Sequence, residues 1–588
     1  MLRFGEGHFH GDLGSVVASH VGARNESPPS GSSWRVYAGL MATHTVTNQP
    51  RPLEPYDLFS TDPVLGSAVT AHGTSASDAE LLGSFGRRVG TEEVFGWGFD
   101  ANRNPPELIT HDRFGHRIDE VAYHPSYHAL MELSVSEGLH CLHYERGQGE
   151  AGYVTRGALF YLMSQVEAGH ACPISMTSSA LLALRHQPDL AAVWEPRVVT
   201  RTYDPRLTDP AAKGGALLGM GMTEKQGGSD VRANTTTAEP ANGGGPGGEY
   251  RLTGHKWFTS APMCDAFLVL AQAPDGLSCF LLPRILPDGS RNDLAVMRLK
   301  DKLGNRSNAS SEVEFDRTAA WMVGEEGRGV ATIIEMVNGT RLDCVIGSAA
   351  IMRQAVAQAG WHVAHRSAFG AHLIDKPMMQ NVIADLEVEV EVATLMMVRL
   401  TAAFDHAPFD ADAAAFARIA TPVAKYWVTK RCSPVVREAM ECLGGVGYVE
   451  ESILPRLYRE SPVNAIWEGS GNVIALDLLR AMSRAPKALG VFLAEVEENR
   501  AGHPALDRAL VRVRSALDYL SNPEAQARRT IEQLALVWAG SLLVAQGNGE
   551  VTNAYMRSRL DGDWGTLFGT LPSGVAIESI ARRAVPGN

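Results

Sequence analysis

Five stretches of the chain combine residue types that could do chemistry. In Gly219-Met-Gly-Met-Thr-Glu-Lys-Gln-Gly-Gly-Ser-Asp230 the glycines and small hydroxyls offer backbone N–H groups and oxygens to a bound anion or heterocycle. The loop lacks the spacing of a P-loop or of a dinucleotide-binding turn. Read alone, it serves equally as a helix-to-strand turn capped by Ser229 or Asp230. Gly254-His-Lys-Trp-Phe-Thr-Ser260 sets two aromatics beside hydroxyl residues, a composition suited to flanking a flat ring and bonding its heteroatoms. Core packing by Trp257 and Phe258 is the plainer alternative. Ala465-Ile-Trp-Glu-Gly-Ser-Gly-Asn-Val-Ile474 places one carboxylate, Glu468, ahead of flexible residues and a new helical run, where a Glu is ordinarily a partner of the helix dipole. Arg366-Ser-Ala-Phe-Gly370 and Leu443-Gly-Gly-Val-Gly-Tyr448 complete the set.

Positioning these stretches falls to several packed units, because 588 residues exceed the size at which one hydrophobic core stops growing. Apolar residues recur at three- and four-residue spacing through much of 41–218, which reads as a helical N-terminal domain. Over 219–328 the texture changes to short β-type runs such as Tyr250-Arg-Leu-Thr and Ala266-Phe-Leu-Val-Leu-Ala, parted by turn residues. Within this region Pro240–Gly248 reads as a hairpin loop. Helical texture returns over 329–482 and continues in an extra block, 483–588. The expected class is mainly α with a β middle domain, an α+β arrangement. In Leu386-Glu-Val-Glu-Val-Glu-Val392 the alternation is a strand signal, but Ile383, Leu386, Val390, Ala393, Met397 and Leu400 fall at helical spacing, which predicts a helix. Residues 1–40 contain Asn25-Glu-Ser-Pro-Pro-Ser-Gly-Ser-Ser33 and read as a disordered extension, with Met41 as an alternative start.

Composition excludes several classes. Hydrophobic residues at 45% and charged residues at 20% exclude wholesale disorder or a fibrous repeat. A net charge of −13 repels polyanions overall, so nucleic acid would need a local basic patch. Seven cysteines without a CxxC pair read as reduced thiols in a cytoplasmic protein without a zinc site. No apolar run reaches membrane-spanning length.

Taken together and in this order, the five stretches resemble the acyl-CoA dehydrogenase family of flavoproteins. The wording Met222-Thr-Glu-Lys-Gln-Gly-Gly-Ser-Asp230, Lys302-Leu-Gly-Asn-Arg-Ser-Asn-Ala309 and Ile466-Trp-Glu-Gly-Ser-Gly-Asn472 is closer still to its AidB-like subgroup, associated with the adaptive response to DNA alkylation. Ordinary members carry Pro-Gly-Ala where this chain has Lys225, Gln226 and Gly227. Many also carry Gln at the position of Glu441 and near that of Pro377.

The resemblance implies a homotetramer with FAD held by Met220, Gly221, Met222, Thr223, Gly227, Gly228, Ser229, Phe258, Thr259 and Ser260, and by Ile466, Trp467, Gly469, Ser470, Gly471 and Asn472. Arg366, Phe369, Gly444 and Gly445 would contact the FAD of a neighbouring subunit. Thr223 and Ser260 would also meet the substrate. Removing hydrogens from the α and β carbons of a thioester needs a base for the α proton while hydride leaves to the flavin. Glu468 matches the family position of that base, and desolvation would have to raise its pKa. The implied activity is dehydrogenation of short or branched acyl-CoA thioesters.

The rival reading, a DNA-associated flavoprotein that protects against alkylating agents, must rest on the C-terminal block. Residues 488–588 carry ten Arg and no Lys against eleven Asp and Glu, so only a clustered face could attract phosphates. Arg508, Arg512 and Arg514 are spaced for one side of a helix, with Arg528 and Arg529 extending it, and a solvated helix surface explains them equally well. Arg480 is expected to pair with Asp477 rather than with Glu468.

Overall fold

The computed structural model describes residues 43–500, 502–519, 521–563 and 565–587. The extension expected over 1–40 lies outside them. Contacts divide the chain into two compact units, 1–47 and 48–588. In the first, residues 43–47 form no helix or strand; the second holds every element described below.

It opens with α1 (Pro63–Ala71), α2 (Ala76–Val89) and α3 (Glu92–Arg103), then β1 (Glu107–His111) and β2 (Arg117–Ala122), then α4 (Pro125–Ser136), α5 (Leu142–Glu145), α6 (Gly152–Val166), α7 (Ala171–Leu184) and α8 (Pro188–Val198). The helices start where the sequence supplies caps: Ser75 and Asp78 form a reciprocal capping box at α2, and Thr91 caps α3. The antiparallel β1–β2 hairpin is an element that the reading of a helical N-terminal domain did not include. Its turn is built by Asp112, whose Oδ1 accepts from the Phe114 and His116 amides at 2.8 and 2.9 Å. Strands of five and six residues are too short to break the helical texture around them.

Seven strands follow: β3 (Leu218–Gly221), β4 (Thr237–Pro240), β5 (Glu249–Ser260), β6 (Ala266–Ala273), β7 (Gly276–Pro283), β8 (Leu294–Leu299) and β9 (Ser310–Val323). Pairing runs β6–β7–β9–β5–β4 and returns to β6, so the sheet closes on itself and leaves no long free edge. β3 lies parallel along β6, and β8 joins β9. Tyr250, Leu268, Phe280, Val313 and Met322 are buried in its core. The Pro240–Gly248 segment connects antiparallel β4 and β5, as a hairpin loop should.

The remainder is helical apart from a tiny hairpin, β10 (Ser367–Ala368) with β11 (Ala371–His372). α9 (Gly329–His365) is packed against α6, α7, α10 (Pro377–His406) and α11 (Ala411–Cys442). After α12 (Leu454–Glu460) and α13 (Gly471–Arg484) come α14 (Pro486–Glu498), α15 (Pro504–Asp518), α16 (Pro523–Gln546), α17 (Gly549–Tyr555) and α18 (Ile577–Arg583). The added helices dock through an aromatic cluster in which Phe416 of α11, Phe492 of α14 and Trp538 of α16 lie 5.6 Å apart, centroid to centroid. No helix among the described residues is long and apolar enough to cross a membrane.

The alternating segment 386–392 is helical, and the structure shows why the alternation misleads. α10 is buried on all sides there, so its acids are buried too, and arginines from four other segments neutralise them. Arg559 reaches Asp385 at 2.5 Å and Glu389 at 2.8 Å, Arg431 reaches Glu389 at 3.0 Å, Arg583 reaches Glu391 at 2.6 Å, and Arg353 lies 3.7 Å from Glu387. Arg559 sits in a single π-helical turn, Met556–Leu560, that aims it inward. Arg559→Met strips the shared cation from two buried carboxylates. It should lower unfolding free energy by roughly 3–5 kcal/mol in urea titrations, whereas an unchanged curve would show that this network does not hold the C-terminal helices.

Candidate active site

Two of the sequence stretches meet on the sheet. The ladder between β5 and β9 shifts register between Lys256 and Thr259, so Trp257 and Phe258 bulge out of it. The freed Trp257 amide donates to the Thr223 carbonyl at 2.7 Å, joining the Met222-Thr-Glu loop to the bulge. Trp257 and Phe258 stand edge to face with centroids 5.3 Å apart, and Phe258 is half exposed. The Lys300 ammonium lies 4.2 and 4.6 Å from their ring centroids. Thr259 is buried, and its hydroxyl oxygen has no hydrogen-bond partner. Ser260 Oγ lies 3.4 Å from Ser310 Oγ, which accepts from buried Lys302 Nζ at 3.0 Å. Burial pushes that ammonium down to about 8.

The Glu of the loop has a structural task. Glu224 is fully buried and accepts from Lys256 Nζ at 2.7 Å, the Thr235 amide at 2.6 Å and the Thr236 amide at 3.2 Å. Burial alone would raise its pKa, but these bonds outweigh it and hold the carboxyl at about 2. Asn234 anchors the loop further by donating to the Met222 carbonyl at 2.9 Å. The unusual Gln226 is absorbed by Asn234 Oδ1 at 3.0 Å, and the Lys225 amide by His255 Nε2 at 3.0 Å. Gly228, Ser229 and Asp230 are exposed, and Asp230 precedes a short 3-10 turn without a side-chain cap bond.

The third stretch is held by the helical bundle. Glu468 is only partly buried and adopts a left-handed backbone conformation, φ +57°, with Gly469 following at φ +108°. Its Oε2 accepts from the Thr340 hydroxyl at 2.8 Å, and its carbonyl accepts from Arg341 Nε at 3.0 Å. Lys425 of α11 is 1% exposed and donates to the carbonyls of Trp467 at 2.8 Å and Gly469 at 2.5 Å. Desolvation raises the Glu468 pKa above the ordinary carboxyl range, while the Thr340 bond, Lys425 and Arg341 oppose it. Trp467 Nε1 donates to Asn464 Oδ1 at 2.8 Å, and Ser470 occupies the N-cap of α13. Ile466 is 65% exposed.

Cys172, at the start of α7, links the two halves. Burial pushes its thiol up to about 11, Ser260 and Asn308 hydrogen-bond it, and the charges of Lys302 and Glu468 both act on it. Cys172 thus neighbours both Ser260 and Glu468. Thr340, Arg341, Lys425 and Cys172 were not marked by the sequence, and Lys302 only as part of the Lys302–Ala309 wording. Each acts from a distant segment, and only a buried cation on an otherwise apolar helix face hints at Lys425.

Other candidates stand elsewhere. Arg366, Phe369, Gly444 and Gly445 occupy surface turns: Arg366 donates to the Asn48 carbonyl, Phe369 is 97% exposed at φ +50°, and Gly444 has φ +63° with open space beside it. Arg480 lies 3.8 Å from Asp477 Oδ1, in keeping with the sequence reading. On α15, Arg508 pairs with Asp561 at 2.8 Å, Arg514 pairs with Glu497, and Arg512 donates to the Leu560 carbonyl at 2.7 Å. Arg528 Nε donates to the Tyr426 hydroxyl at 3.1 Å, and Arg529 is exposed. A cavity of about 370 Å³ lined by Arg117, Asp119, Arg284 and Arg291 contains none of the candidate residues.

Comparisons with known proteins agree with this layout. Residues 48–205 match the model of the adaptive response protein AidB N-terminal domain, 219–318 the acyl-CoA dehydrogenase middle domain, and 327–483 the acyl-CoA dehydrogenase C-terminal domain. AidB of Escherichia coli (strain K12) is 44% identical over 520 residues, covering 88% of this chain and 95% of that protein. The solved structure of Caenorhabditis elegans ACDH-11 in complex with C11-CoA superposes with a TM-score of 0.78 at 26% identity, covering 93% of this chain and 94% of that one. A Bacillus anthracis acyl-CoA dehydrogenase complexed with FAD shares the fold, with a TM-score of 0.65 at 16% identity over 87% of this chain and 93% of that one.

The Glu224–Lys256 pair makes a pH-dependent prediction. Because the folded-state pKa of Glu224 is depressed, its stabilisation is fully present above the ordinary value of 4.5 and fades as pH falls toward about 2. Lys256→Met should cost roughly 3–5 kcal/mol at neutral pH, with the deficit narrowing on acidification as Glu224 takes a proton. Urea unfolding of both proteins across pH checks this, and a deficit independent of pH would contradict it.

Proposed function

The chain belongs to the acyl-CoA dehydrogenase family, and on that premise we propose that it is an FAD-dependent oxidoreductase of the AidB type that removes the α and β hydrogens of an acyl-CoA thioester. The observation that carries the reading is Glu468: a carboxylate with a raised pKa, one hydrogen bond to its side chain, and Cys172 as a neighbour that it shares with Ser260. Its carboxylate accepts the α proton. The Gly469 N–H, following directly, is the donor that polarises the thioester carbonyl and makes that proton acidic. Since the base is the ionised form, turnover rises with pH through the elevated Glu468 value.

The residues present fit FAD. The unpartnered Thr259 hydroxyl offers a bond to a ring heteroatom, the half-exposed Phe258 offers an apolar face, and the loop Met222–Ser229 offers backbone groups beside them. Met220, Gly221, Met222, Thr223, Gly228, Ser229, Phe258, Thr259 and Ser260 would hold it, and when bound it supplies acceptance of the β hydride. Substrate class is proposed as short or branched acyl chains.

A homotetramer accounts for the apolar side chains left open at the outer turns. Phe369 is 97% exposed, Tyr448 80%, Ile466 65% and Val446 47%. Arg366, Gly444 and Gly445 share those turns. The DNA-associated alternative finds less support: Arg508 and Arg514 are paired with carboxylates, and Arg512 donates to a backbone carbonyl.

Glu468→Gln should retain bound FAD and slow thioester-driven flavin reduction on the order of 10³–10⁴-fold; undiminished reduction would refute the assignment. Thr259→Val should leave the unfolding free energy of the flavin-free protein within about 1 kcal/mol, because the hydroxyl forms no protein bond, and should weaken FAD binding about tenfold. Fluorescence titration with FAD reads the second effect, and unaltered affinity would remove Thr259 from the cofactor site.

A further inference from the structure

Lys425 and Arg341 are both buried close to a carboxylate whose basicity the reaction needs. A cation paired directly with Glu468 would hold it ionised but would make it a poor base. The geometry avoids this. Lys425 Nζ points at the carbonyls of residues 467 and 469, and Arg341 Nε at the carbonyl of residue 468, so three consecutive peptide oxygens take up the two cations. Arg341 is further turned away by Asp477, which accepts from its Nη1 at 2.9 Å. Lys425 makes no ion pair among the described residues.

The backbone these bonds hold is one a glutamate adopts at a cost. A non-glycine residue at φ +57° followed by a residue at φ +108° relaxes unless its carbonyls are fixed. Both flanking carbonyls are drawn to one ammonium, while the Glu468 carboxylate accepts from the Thr340 hydroxyl.

Resting on the dehydrogenase reading of Glu468, we propose that Lys425 is the positioning residue of the catalytic base: it clamps the Trp467 and Gly469 carbonyls to hold Glu468 in its left-handed turn and orient the carboxylate. The titratable and charged groups around Glu468 are Arg341 and Cys344 on α9, Lys425 and Lys430 on α11, Cys172 on α7 and Asp477 on α13. Of these, the charges of Lys425 and Arg341 favour its ionised form.

The test is a graded series, Lys425→Arg, Lys425→Gln and Lys425→Met, in the full-length flavin-loaded protein. Isotope-edited infrared titration of the Glu468 carboxyl, identified by its loss in Glu468→Gln, reads the clamp without turnover. Steady-state rates with a thioester read its consequence. Lys425→Met should raise the Glu468 titration midpoint by about one pH unit and shift the pH profile of kcat with it. It should also lower kcat about 100-fold with KM within about threefold, and Lys425→Arg should recover most of the loss. If the Met variant fails to fold, the Gln variant, which keeps N–H donors but loses the charge, should fall between Arg and wild type on one side and inactivity on the other. A Met or Gln variant with the wild-type carboxyl midpoint and kcat profile would overturn the proposal. Should the wild type reduce no flavin with any thioester, the functional reading falls, but the infrared midpoint still decides the role of Lys425.

Discussion

The site depends on where two buried cations place their hydrogen bonds. Lys425 and Arg341 bind the peptide oxygens on either side of and at Glu468, leaving the carboxylate with a single hydroxyl partner. This holds only while α9 and α11 lie side by side with the 466–469 loop across them, which in turn requires the apolar packing of α9 against α6, α7, α10 and α11. The long helices are therefore the frame that keeps two charges within reach of a strained turn. Their energetics and the chemistry of the carboxylate cannot be separated.

The β domain solves a matching problem with the opposite device. There a carboxylate and an ammonium, Glu224 and Lys256, do pair directly, and the carboxyl is driven down instead of up. The pair ties the Met222-Thr-Glu loop to the strand whose bulge carries Trp257 and Phe258. One acidic residue of the marked motifs is thus a strut and the other the proposed base, and the difference lies in what each cation touches.

Much of this was legible in the chain. Order and type of the main elements follow from apolar periodicity, including the helix over 386–392, where spacing of Ile383 through Leu400 outweighed alternation. The β1–β2 hairpin was missed because two short strands carry little periodic signal. The marked stretches lie where backbone conformation is special, at the bulge after Lys256 and at the positive φ of Glu468, Phe369 and Gly444. The residues that hold them were invisible for a physical reason: Lys425 is 42 residues from Trp467, and Arg341 is 127 from Glu468. No local pattern encodes a bond between a helix side chain and a distant peptide carbonyl. The closure of the sheet was equally hidden, since it arises from the non-local pairings of β7 with β9 and of β4 with β6.

The central claim is that Glu468 abstracts an α proton, and the most direct test is exchange of that proton with solvent. Acyl-CoA thioesters are incubated with the purified protein in D₂O across pH, and α-deuterium is read by mass spectrometry against a Glu468→Gln control. The account predicts enzyme-dependent exchange that rises through a midpoint above the ordinary carboxyl range and is absent in the control. Exchange that persists in Glu468→Gln, or none at any pH with any thioester, would contradict it.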